Sequence, residues 1–438
     1  MSDPADGPGL APPESLYIHV PVCRSKCAYC DFFSAPAASM SESFIDDLVE
    51  ATIARAASLA ERFESAGFKT VYIGGGTPTA LGTAAFDRLL EGVARLAPSP
   101  LEWTVEANPE SLDPARVGIM LERGVTRVSI GAQSMDGAAL ELLGRPHDWA
   151  DALRAARLAA SSGMELSVDL IAGIPSRRED GKGGSRSAAT CREASSLVIA
   201  AEELIQAGAR HLSVYDLTLE DGTPLAEAAK ELRFPGEDES FEERSALEST
   251  VEQAGFRRYE VSNYAPPGLE CRHNLAYWRM DSYVGAGPGA VSTLVARGSR
   301  ASRPGSDGSS LRIEESRRLA TYAGAAAGEA TETVIAPREA AFETMMMAFR
   351  TRFGLDLDRF ESRFGLDAEK LIGGTLASWK GMISLGEPWP GEEKSSGPAL
   401  DGRGLDILNR FLGDCLEELE ASFPDDEPRS RCAARNSE

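Results

Sequence analysis

The sequence predicts an α/β protein built around a parallel sheet, followed by a small, mainly helical region. Three observations carry that expectation. From Leu16 to about Ala265, short apolar runs alternate with amphipathic stretches of helical length, which is the pattern of repeated β-α units. The chain has 438 residues, enough for two or three domains or for one α/β barrel that absorbs most of it. After Glu314 the pattern turns to helices without strands.

The expected strands are Leu16 to Val20, Thr70 to Gly74, Glu102 to Ala107, Arg127 to Gly131, Leu166 to Ala172 and His211 to Leu217, with Arg258 to Ser262 as a seventh. Apolar faces returning at helical spacing mark Phe44 to Glu64, Phe86 to Leu96, Pro114 to Glu122, Asp151 to Ser161, Ser195 to Ala207 and Glu239 to Ala254. The stretches Ser176 to Thr190 and Arg297 to Ser310, rich in Ser, Gly and Arg, read as mobile loops. Further on, Phe342, Met345, Met346, Phe349 and Phe353 share one helix face. The methionines there read as core filling rather than as a porphyrin contact. Gly404 to Glu420 is expected to close this part as a second helix. The expected divisions are a disordered start (1–15), a core (16–295), a flexible loop (296–313), a helical domain (314–423) and a disordered tail (424–438).

Forty-five basic against 68 acidic residues leave a net charge of −23, which repels phosphate backbones and anionic lipid and argues against a nucleic-acid role. Seven cysteines, three of them crowded together, do not form a disulfide framework. Met1 to Pro13 has no basic flank followed by an apolar stretch, and no run of about 18 apolar residues occurs. A cytoplasmic protein without a transmembrane segment is expected.

The crowded cysteines are Cys23, Cys27 and Cys30, spaced C-x3-C-x2-C. Three thiolates so spaced can hold an iron-sulfur cube with one iron left open to a small molecule. A zinc site completed by His19 or Cys191 is the competing reading. In parallel α/β folds, sites collect at the carboxyl ends of strands. The suggestive residues stand there: the cysteines after the first strand, Gly75 to Thr77 after the second, Glu106 ending the third, Gln133 after the fourth and Asp169 in the fifth. The run Gly74-Gly75-Gly76 lets backbone approach a ligand, although a plain turn explains it equally well.

These runs resemble the radical S-adenosylmethionine superfamily, and within it the coproporphyrinogen III oxidase-like branch that includes the HemW haem chaperones. The resemblance spans residues 15 to about 295. It covers Tyr17 to Pro21, the cysteine run, Gly74 to Thr79, Val105 to Pro109, Ser129 to Ser134, Asp169 to Pro175 and Tyr259 to Tyr264. It implies a partial, open (β/α)6 barrel of radical SAM type with a small, mainly helical C-terminal domain.

The resemblance also implies a [4Fe-4S] cluster on Cys23, Cys27 and Cys30, with S-adenosylmethionine chelating the fourth iron and cleaved to a 5′-deoxyadenosyl radical when the cluster is reduced. Tyr17, Gly75, Gly76, Thr77, Glu106, Gln133, Arg145 and Asp169 match family contacts to S-adenosylmethionine. Chemically, Glu106 can accept from a cationic ligand, Asp169 can bind ribose hydroxyls and Arg145 can pair with a carboxylate. His19 is expected to brace the cluster loop.

Within the branch, coproporphyrinogen dehydrogenases usually carry a further cysteine where this chain has Phe32, and a longer segment ahead of the first strand. Cys271 to Trp278 resembles the H-N-x-x-Y-W signature of HemW proteins, in which His273 is a candidate haem ligand beside two aromatic rings. A packed loop histidine is the alternative, and Cys271 is a weaker candidate ligand. The resemblance thus implies a haem chaperone that binds haem and delivers it to an acceptor, a respiratory haem protein being one candidate. An electron donor is implied as well, and haem-dependent dimerisation is left open. The alternative is an oxygen-independent coproporphyrinogen III dehydrogenase or another radical SAM oxidoreductase.

Overall fold

A computed structural model describes residues 9–178, 195–297, 308–324, 329–394 and 397–422. Cys191 and Cys432, most of the two stretches read as mobile loops, the first eight residues and the whole expected tail lie outside the described residues. The chain divides into two compact units, one formed by Met1–Ala296 with Ser310–Ile335, the other by Arg297–Ser309 with Ala336–Glu438.

In the first unit, six parallel strands follow one another in chain order: β1 (Ser15–Val20), β2 (Thr70–Gly75), β3 (Glu102–Ala107), β4 (Arg127–Gln133), β5 (Glu165–Ala172) and β6 (His211–Asp216). Each pairs with the next in parallel. Such pairing needs a crossover after every strand. The helices α1 (Glu42–Arg62), α2 (Thr83–Leu96), α3 (Pro114–Arg123), α4 (Trp149–Ser161) and α5 (Ser196–Ala207) supply it, and α6 (Glu237–Gln253) follows β6.

Local sequence starts these helices where they are needed. Ser41, Asp113, Asp148 and Ser195 each accept a backbone N–H as N-caps. The buried faces of α1 and α2, including Leu48, Leu59, Phe86 and Leu90, join the strand residues Ile18, Ile73, Val105, Ile130 and Val168 in one apolar core. Burial on both faces explains why the strands read as continuous apolar runs.

The barrel stays open because β1 and β6 each pair with something other than one another. Beyond β6 lies β7 (Asn263–Ala265), antiparallel to it and flanked by the two-residue strand Arg257–Arg258. Beyond β1 lies β8 (Tyr283–Ala286), parallel to it, and then the antiparallel strands β9 (Val291–Val295), β10 (Ser310–Glu315) and β11 (Ala330–Ile335). The sheet has 12 strands in all.

The stretch after Glu314 was expected to lack strands, yet β11 lies within it. Its sequence, Ala-Thr-Glu-Thr-Val-Ile, is exposed along most of its length and carries no apolar period. Pairing with β10, not a buried face, holds it in place. Likewise, the expected strand Arg258 to Ser262 is a turn between the two short strands beside β6.

The second unit packs α8 (Pro337–Ala348), α9 (Leu357–Phe364) and α10 (Leu408–Ser422) with a short hairpin of Ile383–Leu385 and Pro398–Leu400. The helix face foreseen from Phe342 onward ends at Ala348. Met345, Phe349 and Phe353 are buried, and Phe349 meets Phe411 edge-on at 4.7 Å, so methionine there fills core.

At the amino-terminal ends of the strands, α7 (Arg272–Trp278) is fastened by one carboxylate. Glu102 accepts from the backbone of Arg272 and His273 at 3.0 Å each, from the Cys271 thiol at 3.2 Å and from the Arg127 guanidinium at 3.2 Å. Both members of the Glu102–Arg127 pair are buried. Removing one partner strands the other charge, so Glu102→Ala should cost about 3–5 kcal/mol, seen as a lower denaturant midpoint. Glu102→Gln should cost less, because the amide oxygen can still accept.

Candidate radical SAM site

The glycine-rich end of β2 sits against the cysteine loop. Gly76 N donates to Val20 O at 2.9 Å and Thr77 N to Val22 O at 2.7 Å, which ties β2 to the segment entering Cys23. Gly75 has φ +94°, and a Cβ there would lie 2.3 Å from the His19 ring, so the position tolerates only glycine. His19 donates from Nε2 to Phe33 O and accepts the Tyr17 hydroxyl at Nδ1, both at 2.9 Å. It braces the loop beyond Cys30, as its sequence context suggested.

Cys23, Cys27 and Cys30 are half-buried on this loop. Thr77 Oγ1 lies 3.8 Å from the Cys23 sulfur, and Arg145 Nη1 lies 3.3 Å from the Cys27 sulfur. Burial pushes the Cys30 thiol up to about 11, with the neighbouring Cys27 and Cys23 adding to it. Burial also raises Cys23, and Cys27 adds to that as well. Thiolates at Cys23 and Cys30, which burial disfavours, would gain from a metal centre that carries their charge.

Beside them stand two recessed carboxyls. Glu106 accepts from the Tyr72 hydroxyl at 2.8 Å and from Gly75 N at 3.1 Å. Burial pushes it up to about 7, with Asp169 contributing. Its register partner across the sheet is Ser129, whose hydroxyl donates to Asp169 at 3.2 Å. Burial pushes Asp169 up to about 6. Gln133 ends β4 at a register shift with φ +64°, a left-handed conformation that costs a non-glycine residue about 1–3 kcal/mol and clusters at ligand sites.

Arg145 donates to Asn108 Oδ1 at 2.5 Å and to Gly131 O at 2.7 Å. Asn108 in turn donates to Thr77 Oγ1 at 2.9 Å. The sequence reading missed Asn108 and Tyr72; the first lay inside a quoted motif, and the second carried no local signal. The fold thus gathers the cysteines, Tyr17, Gly75, Gly76, Thr77, Glu106, Gln133, Arg145 and Asp169 at the carboxyl ends of β1 to β5.

The donor set fits a cluster and a cationic ligand better than it fits zinc. A cube takes each thiolate on a separate iron, whereas a single ion needs its ligands to converge. His19 is not free to complete a zinc site, since both of its ring nitrogens are already bonded. The two carboxyls have a phenol, an amide and a hydroxyl as partners, which leaves negative charge for a cation to meet.

His273 stands apart from this mouth, in the arrangement of a packed histidine. It is fully buried, with Nδ1 2.9 Å from Thr70 Oγ1 and Nε2 2.8 Å from the Tyr277 hydroxyl. Its ring stacks on Tyr72 at 5.4 Å. As folded, it offers no nitrogen lone pair to iron; it braces α7 against β2. Burial pushes it down to about 3. Cys271 is buried and its thiol is raised by that burial and by Glu102, so it is a poor thiolate.

Comparison with known proteins agrees with the site. Residues 17–180 match the radical SAM superfamily profile, and residues 335–386 match the HemN C-terminal domain. The haem chaperone HemW of Mycobacterium tuberculosis is 37% identical over 297 residues, covering 66% of this chain and 72% of that protein. HemW of Escherichia coli is 37% identical over 283 residues, 64% of this chain and 70% of the relative. The solved coproporphyrinogen III oxidase (HemN) of Escherichia coli has the same fold at a TM-score of 0.69 and 16% identity, covering 94% of this chain and 91% of that one. The chain belongs to the HemW family of the radical SAM superfamily. That kinship argues against dehydrogenase activity of the coproporphyrinogen type. Among the described residues no helix is long and apolar enough to cross a membrane.

The raised carboxyls give the ligand-free protein a signed pH dependence. A carboxyl raised from 4.5 to about 7 in the folded state favours folding below 4.5 and loses that contribution as pH rises through 7. Asp169 acts the same way between 3.8 and about 6. Thermal midpoints should therefore fall from pH 5 to pH 7.5, and the slope should flatten in Glu106→Gln.

Proposed function

We propose that the protein carries a [4Fe-4S] cluster on Cys23, Cys27 and Cys30, takes S-adenosylmethionine beside it, and binds haem for delivery to an acceptor protein. The observation that carries this reading is the barrel-wide kinship with haem chaperones, whose relatives are named for that role. When bound, the cluster supplies the electron that cleaves the sulfonium.

The chain's own residues do the positioning. Backbone groups at Gly75 and Gly76 lie close enough to the loop to meet the ligand's amino group, and Thr77 offers a hydroxyl. A cation at Glu106 draws its proton off and converts it into a charged acceptor. Asp169 is placed to accept from ribose hydroxyls, and Tyr17 and Gln133 border the same space. An electron donor is required, and the acceptor, a respiratory haem protein in our reading, is a separate partner. Haem-dependent dimerisation and a cytoplasmic location belong to the same proposal.

The dehydrogenase reading is the weaker one here because the second position past the third ligand holds Phe32, which is 62% exposed, instead of a further thiol. Haem, in our reading, is not held by imidazole. All four histidines, His19, His147, His211 and His273, are buried, so none presents a ring to a macrocycle.

Anaerobically reconstituted protein should bind about one haem per chain, pass it to an apo acceptor and form no protoporphyrinogen from coproporphyrinogen. His273→Ala should keep the haem stoichiometry and absorption spectrum of the parent while losing about 2–4 kcal/mol of stability, since two buried hydroxyls lose partners. Protoporphyrinogen formation would make the protein a dehydrogenase. Haem loss in a folded His273→Ala would restore the imidazole as ligand.

A further inference from the structure

We propose that Glu110 and His147 are positioning residues for S-adenosylmethionine: they brace the strained turn that places the Gln133 amide at the barrel mouth. The proposal rests on the reading above that this ligand binds there. Neither residue belongs to the set gathered at the mouth; both act through the Ala132 carbonyl.

The turn is of an uncommon kind. Ser134 N donates to Ala132 O at 2.8 Å, closing three residues whose central member, Gln133, has φ +64°. That is the rare, strained hand of the γ-turn, set where β4 shifts register against β5. Gly131 leaves room for the side chain to fold back. A Cβ there would lie 2.6 Å from Gln133 Nε2 and 3.1 Å from both Arg145 Nη2 and Asn108 Oδ1. The turn thus sets the Gln133 amide beside two other groups of the mouth.

A second donor holds the same carbonyl. His147 Nε2 lies 3.2 Å from Ala132 O, and since a carbonyl only accepts, that nitrogen carries a hydrogen. On the other side of the ring, Nδ1 faces Glu110 Oε2 at 3.5 Å, with both side chains almost wholly shielded from water. The carboxyl holds the ring in its plane, as an outer partner orients a histidine that acts elsewhere. Burial opposes the Glu110 charge, yet the His147 ring, Glu110's own backbone N–H and Arg145 keep the carboxyl below the usual range. The chain immobilises the ring as well, because His147 precedes Asp148, the N-cap of α4, where a capping box fixes the backbone. A left-handed conformation at a non-glycine residue persists only where its surroundings over-determine it. Without the brace the turn relaxes and the amide leaves its place.

The test is equilibrium dialysis of the full, anaerobically reconstituted protein against labelled S-adenosylmethionine, with iron content as the check that the cysteine loop is intact. His147→Ala and Glu110→Ala should each weaken binding about tenfold, with iron content at the parent level. Glu110→Gln should stay within about twofold of the parent, because an amide can donate to Nδ1 or accept from it. Gln133→Ala should itself weaken binding, and adding His147→Ala to it should cost less than about twofold more. That pattern belongs to residues acting through Gln133 and not to a general loss of packing. A His147→Ala loss that persists in full beside Gln133→Ala overturns the inference, as does parent-like binding in both Glu110→Ala and His147→Ala. Should His147→Ala fail to fold, Glu110→Ala, alone and beside Gln133→Ala, decides the matter by the same criteria. A parent that holds iron but takes no S-adenosylmethionine overturns the ligand reading, and this inference falls with it; a parent that binds, with the wrong variant pattern, overturns the inference alone.

Discussion

Negative charge packed into one barrel mouth is the constraint on which the rest depends. Three thiols and two carboxyls share that space, and Cys23, Cys30, Glu106 and Asp169 are made harder to ionise by burial. Such a site is unfavourable when empty of positive charge and becomes favourable when a cluster and a cationic ligand enter. Arg145 brings one positive charge from the protein itself to the cysteine loop. The glycines at the end of β2 matter for the same reason, since any side chain there would displace the loop from the carboxyl it faces.

The opposite end of the strands solves a separate problem with similar chemistry. Glu102, Arg127, Thr70, His273 and Tyr277 form a buried polar cluster in which the named contacts are matched donor to acceptor. A network of this kind is costly if partly satisfied and specific if satisfied throughout. It sets α7 at one angle to the barrel and keeps Tyr72 stacked on His273, with the Tyr72 hydroxyl on Glu106. The signature around His273 therefore reaches the mouth through a ring and a hydroxyl, without itself lining the site.

Much of the fold was legible because buried parallel strands and amphipathic helices leave apolar periods. β1 to β6 and α1 to α5 appear within a few residues of their expected places. β8 to β10 were missed although Val284, Ala286, Leu294 and Ile313 join the core, because each run is too short to show a period; β11 was missed because it has no apolar face. The clearest case is β11, where four consecutive residues are exposed. The candidate site was legible where motif and strand end coincide, as at Cys23 to Cys30, Gly75, Glu106 and Asp169. It was not legible at Asn108 and Tyr72, whose meaning arises only when β2, β3 and β4 lie side by side.

By itself, the amino-acid sequence determined that six β-α repeats bring polar residues to one rim and that three cysteines stand close on one loop. Spacing along a chain is enough for that, since register within a strand and distance within a loop are local matters. The tertiary structure alone decided what each side chain touches: Arg145 beside the Cys27 sulfur, and His273 bonded to two hydroxyls. Those outcomes depend on burial and on partners as far as 118 and 203 residues away in sequence, which no local pattern encodes.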